Sequence, residues 1–182
     1  FFTFLSSGDH AVVSDVSYAG VSELAFDTLP RMGIEVTKVD MSNLEAVAAA
    51  IRPNTKLIHA ESPANPILRL TDLQSVSRIA RAAGALHSSD ATFSSPIGMD
   101  TQALGIDMVM HSATKYIGGH GDAVGGAVAG RADLIAKMRA EAAIHHGGIL
   151  SPFNAWMIAR GLSTLPLRMK AHAAGAQAVA EW

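Results

Sequence analysis

One lysine, Lys115, lies in a segment made of hydroxyl-bearing residues and glycines. Residues 111–126 read HSATKYIGGHGDAVGG, with Ser112 and Thr114 just before the lysine and five glycines after it. A lysine that forms a Schiff base needs an unprotonated amine in a partly desolvated site. Short hydroxyls beside glycines can donate to phosphate oxygens, because glycine lets the backbone approach closely. The segment therefore predicts a cofactor with both an aldehyde and a phosphate, for which pyridoxal 5′-phosphate (PLP) is the obvious candidate.

A PLP site also needs a carboxylate that keeps the pyridine nitrogen protonated, so that the ring can act as an electron sink. Asp90 ends the stretch ALHSSDA at 85–91, which comes one strand before the lysine. We therefore predict that Asp90 is this carboxylate. The alternative for Asp90 is a turn cap, and the alternative for Lys115 is an ordinary solvated lysine.

The elements that must position these residues alternate between short apolar runs and longer helical patterns. Strands are predicted at 10–16, 34–40, 55–62, 85–91, 107–113 and 124–130. Helices are predicted at 20–33, with an interruption at Pro30, and at 42–51, 70–84, 132–146, 152–162 and from about 165 onward. Ser42 and Glu45 have the spacing of a capping box for the second of these helices. This alternation predicts an α/β fold with a mostly parallel sheet covered by helices.

Ligands of open α/β sheets bind at the carboxyl ends of the strands. Polar residues follow several of the predicted strands: Tyr18, 61–65, Asp90, Thr92 and 112–115. We expect them to meet at one edge of the sheet. Taken singly, Tyr18 could be half-buried packing, Asn65 a turn former between two prolines, and Ser112 and Thr114 plain strand polar residues.

Four motifs occur in the order found in one enzyme family: ESPANP, SDATFSSP, HSATKYIGGHGD and RGLSTLPLRM. With them the chain resembles the trans-sulfuration, or Cys/Met metabolism, family of PLP-dependent enzymes, closest to methionine γ-lyase and cystathionine γ-lyase-like members. The resemblance covers nearly the whole chain. It implies PLP fold type I, the aspartate-aminotransferase-like large domain, and homodimers or homotetramers in the full-length protein.

The resemblance also implies a role for each matching residue. Lys115 corresponds to the lysine that binds the cofactor covalently and moves protons, and Asp90 to the partner of the pyridine nitrogen. Tyr18 corresponds to the tyrosine that stacks on the cofactor ring and helps the γ substituent to leave. The remaining cofactor-binding positions are Ser112 and Thr114 for the phosphate, Asn65 near the 3-hydroxyl, and Thr92 beside the aspartate.

The chain departs from the family pattern at the strand before Asp90 and at the turn after Tyr18. His87, Ser88 and Ser89 replace the usual valines before Asp90, and Ala91 replaces the usual asparagine. Buried polar side chains need hydrogen-bond partners or they cost stability, so we expect these three residues to have partners. Gly20 stands two positions after Tyr18, where methionine γ-lyases typically carry cysteine.

Residues 1–164 are predicted to form the PLP-binding domain without its N-terminal part. Residues 165–182 are predicted to begin the helix that leads to a C-terminal domain absent from this chain. Family members carry a Gly-Met phosphate-binding turn, a Tyr and Arg that reach the neighbouring subunit's phosphate, and a substrate-carboxylate arginine outside the matched region.

Composition excludes several other classes of protein. The net charge is −2 and no run of Lys or Arg is present, which argues against nucleic-acid or membrane partners. The chain has no cysteine, which fits a cytoplasmic location, and its eight histidines form no metal-binding pattern.

The sequence therefore predicts PLP-dependent metabolism of sulfur amino acids. We favour α,γ-elimination, a carbon–sulfur lyase reaction, on methionine, cystathionine or a homoserine derivative. The first alternative is γ-replacement, as in cystathionine γ-synthase or an O-acyl-homoserine sulfhydrylase. A non-catalytic or truncated PLP-fold protein and a nucleotide-binding α/β module are the others.

Overall fold

The computed structural model describes all residues, 1–182, and contains one six-stranded sheet. The strands are β1 (His10–Ser14), β2 (Glu35–Val39), β3 (Thr55–Glu61), β4 (Leu86–Asp90), β5 (Met108–Ser112) and β6 (Gly126–Gly130). Their order across the sheet is β2-β1-β3-β4-β5-β6. The first five are parallel, and β6 pairs antiparallel with β5 at the edge. The predicted α/β fold with a mostly parallel sheet is confirmed.

Eight α-helical segments connect or follow the strands. They are α1 (Ala19–Glu23), α2 (Leu29–Arg31), α3 (Leu44–Ala49), α4 (Leu73–Ala82), α5 (Ser95–Gly98), α6 (Ala132–Met138), α7 (Pro152–Leu162) and α8 (Leu165–Glu181). No helix is both long and apolar enough to cross a membrane.

Two of the predicted helices contain wide, π-type turns, and in the first of them the interruption expected at Pro30 lies earlier in the chain. The predicted helix at 20–33 is interrupted at Leu24–Thr28, and the one at 132–146 widens at Arg139–His145. Pro30 lies in the first turn of α2, where its missing N–H does not break an established helical bond. Gly33, at φ +75°, then ends the segment in the left-handed conformation that glycine favours.

Helix α3 begins one residue later than the capping-box spacing predicts. The Asn43 side chain, not Ser42, accepts the N–H of Ala46 at 3.0 Å. Ser42 instead donates its backbone N–H and its hydroxyl to Asp40 Oδ1. The prediction of Ser42 as the cap is therefore wrong, because the nearby carboxylate uses both of its donors.

Apolar side chains cover both faces of the sheet, as expected for parallel strands. Successive residues of β1 alternate between two core clusters: Ala11 and Val13 pack with α1 and α2, and Val12 packs on the opposite face with α3 and α4. Leu57 and Ile58 of β3 divide in the same way. The strands are therefore held from both sides, which keeps their carboxyl ends in register.

Histidines are buried in four neighbouring strands of this sheet. The His87 ring bonds the Ser77 hydroxyl at 2.8 Å, and the His59 ring bonds the Ser88 hydroxyl at 2.8 Å. Ser89 makes only a long contact of 3.5 Å to the carbonyl of Asp90. The expected partners are therefore present for His87 and Ser88. The Nε2 atoms of His59 and His87 nevertheless have no partner, which makes both rings costly to protonate.

Stability is expected to fall in mild acid because of these two histidines. Burial lowers the pKa of His59 to about 3 and that of His87 to about 4; Asp107 opposes the shift at His87 but is the weaker effect. In the unfolded chain a histidine binds a proton below its pKa of about 6.5, whereas the buried ring stays neutral to a lower pH. Protonation therefore favours the unfolded chain, and the free energy of unfolding falls as the pH drops below about 6.5. Between pH 7.5 and 5, the free energy of unfolding should drop by about 2 kcal/mol for each ring.

Urea unfolding of His87→Val at both pH values checks this expectation. The variant should lose about 2 kcal/mol of the pH-dependent drop. His146→Gln, at an exposed histidine, is the matched control and should retain the full drop. An unchanged drop in His87→Val would contradict the assignment.

Candidate active site

A cavity of about 720 Å³ lies at the carboxyl ends of β3, β4 and β5. All seven site residues predicted from the sequence line it: Tyr18, Asn65, Asp90, Thr92, Ser112, Thr114 and Lys115. They come from segments far apart in the chain. The parallel strands bring them together because each strand delivers its following residues to the same edge.

Asp90 is one of two buried carboxyl groups that line this cavity. It ends β4, has only 5% of its surface exposed, and accepts the Thr92 N–H at 2.8 Å. The Thr92 hydroxyl in turn accepts the Ser112 N–H at 2.7 Å. This chain of bonds ties the end of β4 to the end of β5, so the positions of the carboxyl group and the lysine segment are linked.

Lys115 lies in a wide turn, Ala113–Ile117, that directly follows β5. Its backbone, at φ −92° and ψ −120°, departs from helical geometry and kinks the turn at the lysine. The side chain is exposed. Lys115 thus lines the cavity with its side chain accessible to solvent.

Thr114 has a structural partner that the sequence does not reveal. Its hydroxyl accepts the Gly125 N–H at 3.0 Å and lies 3.2 Å from the Gly125 carbonyl oxygen. These contacts join the lysine turn to the segment leading into β6. Thr114 still lines the cavity, but as a phosphate ligand it would have to share its hydroxyl with this backbone contact.

Glu61 is a site residue to which the sequence analysis assigned no role. Its carboxyl group accepts the backbone N–H of Tyr18 at 2.7 Å and that of Asn65 at 2.9 Å. It is 5% exposed, and burial raises the pKa of its carboxyl group despite these two bonds. The available sequence signal was that Glu61, like Asp90, lies near the end of a predicted strand; the structure pairs the two residues in adjacent strands.

Glu61→Gln is expected to loosen both segments that it holds. Glutamine has one acceptor oxygen, so one of the two backbone N–H groups would face an NH₂ group and lose its bond, at a cost of about 1–3 kcal/mol. Hydrogen exchange at the Tyr18 and Asn65 amides should accelerate. The control is Glu23→Gln, at an exposed glutamate, and equal exchange in the two variants would contradict the holding role.

Several further residues line the cavity that the sequence analysis did not name as site residues. They are Phe93, Met110, Tyr116, Gly119, Gly121, Val124, Arg168 and His172. Tyr116 packs edge-on against Phe93 and His172, with ring centroids 6.4 and 5.3 Å apart. Helix α8 therefore contributes directly to the wall of the site, although it follows the lysine by many residues.

No group of three or more His, Asp or Glu side chains is arranged to hold a metal ion. The His111 ring is buried and its Nδ1 has no partner, while His120 bonds the Gly118 carbonyl oxygen at 2.9 Å. His120 therefore stabilises the turn that follows Lys115.

The class of protein follows from this fold and site. A mostly parallel sheet with a lysine after β5 and a carboxyl group ending β4 defines the large domain of a fold-type-I PLP enzyme. The chain belongs to the family described as "Cys/Met metabolism PLP-dependent enzyme", whose model matches residues 1–182. The predicted family, fold type and cofactor class are confirmed.

Proteins similar to this chain include two that are named γ-lyases. It is 51% identical over 183 residues to a canavanine γ-lyase of Rhizobium leguminosarum bv. trifolii, covering 100% of this chain and 46% of that protein. It is 44% identical over 177 residues to a cystathionine γ-lyase of Bacillus subtilis, covering 97% of this chain and 47% of that protein. The crystal structure of metB from Corynebacterium glutamicum matches with a TM-score of 0.96 and 40% identity, covering 100% of this chain and 47% of that one. The chain thus spans about half the length of these relatives.

Proposed function

We propose that the protein containing this chain is a PLP-dependent lyase that eliminates a substituent from the γ-carbon of an amino acid. The observation that carries the proposal is the convergence of Lys115, Asp90 and Tyr18 on one cavity at the strand ends. These three residue types supply an amine, a carboxyl group and a phenol, which are the groups that such a reaction requires.

The residues present fit the cofactor by their chemistry. Lys115 offers an amine to an aldehyde, Asp90 offers a buried carboxyl group to a protonated pyridine nitrogen, and Ser112 and Thr114 offer hydroxyls to a phosphate. Bound PLP supplies an aldehyde that condenses with an amine, releasing water, and a ring that delocalises the electrons of a broken Cα–H bond. Tyr18 and Asn65 would contact the ring and its 3-hydroxyl, and Thr92 would hold Asp90 in place.

In this proposal Lys115 is also the base that takes the proton from the substrate's α-carbon. Lys115 lines the cavity, where its amine would accept and return protons. Tyr18, 55% exposed and held at its backbone by Glu61, is placed to donate a proton to the departing γ substituent.

The family resemblance covers both elimination and replacement, so experiment must distinguish the two reactions. Elimination releases the γ substituent and leads to a 2-oxo acid and ammonia, whereas replacement adds a thiol. We favour elimination, which agrees with the lyase names of the two relatives given above. Canavanine and cystathionine are therefore the first substrates to assay, with methionine as the third and a homoserine ester plus thiol as the test of replacement.

The proposal is tested by mapping the covalent adduct. Purified protein mixed with PLP should develop a yellow absorbance band that borohydride bleaches. Peptide mass spectrometry should then find the reduced pyridoxyl group on Lys115, with the exposed Lys170 as the internal comparison. A pyridoxyl group spread equally over surface lysines would overturn the proposal, and binding of ATP or NAD without an adduct would favour a nucleotide-binding module.

We further propose that the full-length protein is a cytoplasmic homodimer or homotetramer. The support is a group of apolar side chains on α7 and α8 that are exposed to water, because exposed apolar patches mark interfaces between proteins. They include Phe153, Trp156, Leu167 and Val179, each at least 60% exposed. Sedimentation of the full-length protein tests the assembly. The division into a PLP domain at 1–164 and the start of a connecting helix at 165–182 remains a prediction.

A further inference from the structure

We infer that Arg168 is the positioning residue that fixes the Lys115 turn from the start of α8. The inference rests on the proposed function only in taking Lys115 as the reactive amine. Arg168 does not need to touch the cofactor or the substrate. It acts through the backbone of the segment that carries the lysine.

The backbone carbonyl groups at the end of the Lys115 turn show how Arg168 acts. The Lys115 carbonyl accepts the Gly119 N–H at 2.7 Å. The next two carbonyls belong to Tyr116 and Ile117, and both accept from the Arg168 guanidinium, at 2.6 and 3.2 Å. Carbonyls at the end of a helical turn lack helical N–H partners and carry partial negative charge, which favours a cation there.

The same guanidinium group also holds the helices behind the turn. Arg168 donates to the carbonyl of Gly161 near the end of α7 at 2.7 Å, and to the hydroxyl of Thr164 at 3.0 Å. One planar side chain therefore joins the lysine turn, the end of α7 and the start of α8. Arginine is suited to this because its donors point in fixed directions in one plane.

Glycines provide the space that this arrangement requires. A Cβ on Gly119 would lie 2.2 Å from Arg168 Nη1, and a Cβ on Gly161 would lie 2.0 Å from the carbonyl oxygen of Gly118. Neither position has room for a side chain unless the guanidinium or the turn moves. Three features far apart in the sequence, Gly119, Gly161 and Arg168, therefore serve one packing arrangement under the lysine.

The consequence is a turn that cannot change shape independently of α7 and α8. A lysine at position 168 would keep a positive charge but could not reach four acceptors in one plane. A glutamine would lose the charge as well. Either change should free the turn and let the Lys115 backbone sample other conformations.

Hydrogen exchange in the absence of cofactor tests the inference directly. The reporters are the amides of Gly118 and Gly119, which donate to Ala113 and Lys115 inside the turn. Arg168→Lys and Arg168→Gln should each speed their exchange about tenfold or more, because charge-assisted bonds are lost. Arg160→Lys and Arg160→Gln change an exposed arginine of the same motif and should leave the two amides as in the wild type.

A merely structural role for Arg168 in α8 predicts a different pattern. Exchange would then rise within α8 while Gly118 and Gly119 stay protected, and that result would overturn the inference. If Arg168→Gln does not fold, Gly119→Ala displaces the guanidinium from the other side. Gly84→Ala is its control, because Gly84 also has a positive φ, +67°, but no atom within 4 Å of an added Cβ.

A second readout links the turn to the lysine. Covalent capture of PLP by Lys115, measured by borohydride trapping and peptide mapping, should slow about tenfold in both Arg168 variants and not in the Arg160 variants. Failure of the wild type to capture PLP would count against the proposed function, whereas the exchange experiment would still decide the role of Arg168. Normal exchange at Gly118 and Gly119 in Arg168→Lys and Arg168→Gln would overturn the positioning role.

Discussion

Lys115→Ala is expected to abolish the lyase activity that we propose for the full-length protein. Alanine can neither bind an aldehyde nor move a proton, so two functions are lost in one change. Loss of general acid–base catalysis alone costs about 10²–10⁴-fold in rate, and loss of the covalent attachment adds to it. We therefore expect kcat to fall by at least about 10³-fold, with no yellow band that borohydride can bleach.

The fold should survive this substitution because the Lys115 side chain is exposed and makes no ion pair with another residue of the chain. The thermal midpoint measured without cofactor should therefore match that of the wild type. Lys170→Ala, at an exposed lysine on α8, is the control and should keep both the band and the activity. Activity retained in Lys115→Ala would contradict the assignment of Lys115 as the reactive amine.

Asp90→Asn is expected to cause the second-largest loss. Asparagine keeps an oxygen for the Thr92 N–H, which Asp90 Oδ1 now accepts at 2.8 Å, so the link to Ser112 should persist. The negative charge that would hold the pyridine nitrogen protonated is lost. Charge-assisted hydrogen bonds contribute about 1.5–3 kcal/mol, which corresponds to a fall in kcat of about 10- to 200-fold.

The signature of Asp90→Asn should differ from that of Lys115→Ala. The yellow band should still form, because the amine is intact, while turnover slows and the affinity for PLP weakens. Asp27→Asn, at an exposed aspartate, should change neither. Full activity in Asp90→Asn would mean that another group fulfils the role assigned to this carboxyl group.

Much of the fold was predictable because parallel βαβ units have a regular sequence pattern. The alternation of strand and helix patterns marked all six strands, including the polar β4, and β1 to β5 lie parallel as that alternation requires. Helix boundaries were harder. Asn43, not Ser42, caps α3, and the wide turns at Leu24–Thr28 and Arg139–His145 lie where the sequence predicted no interruption. Such details depend on single competing hydrogen bonds, which periodicity does not record.

The sequence by itself determined which residues meet at the candidate site. Strand ends collect at one edge of a parallel sheet, so Tyr18, Asn65, Asp90 and the segment 112–115 could be brought together without coordinates. Their chemical roles remain predictions drawn from residue type and family resemblance. Their convergence on one cavity is an observation of the structure.

The tertiary structure alone decided how those residues are held. Glu61 holds the backbone N–H groups of Tyr18 and Asn65, and Arg168 holds the lysine turn from the start of α8. It also showed that Lys115 remains exposed and that the Thr114 hydroxyl already contacts Gly125. Sequence patterns describe which face of an element is buried, whereas these contacts join elements that are distant in the chain. Their geometry exists only once the helices and the sheet have packed together.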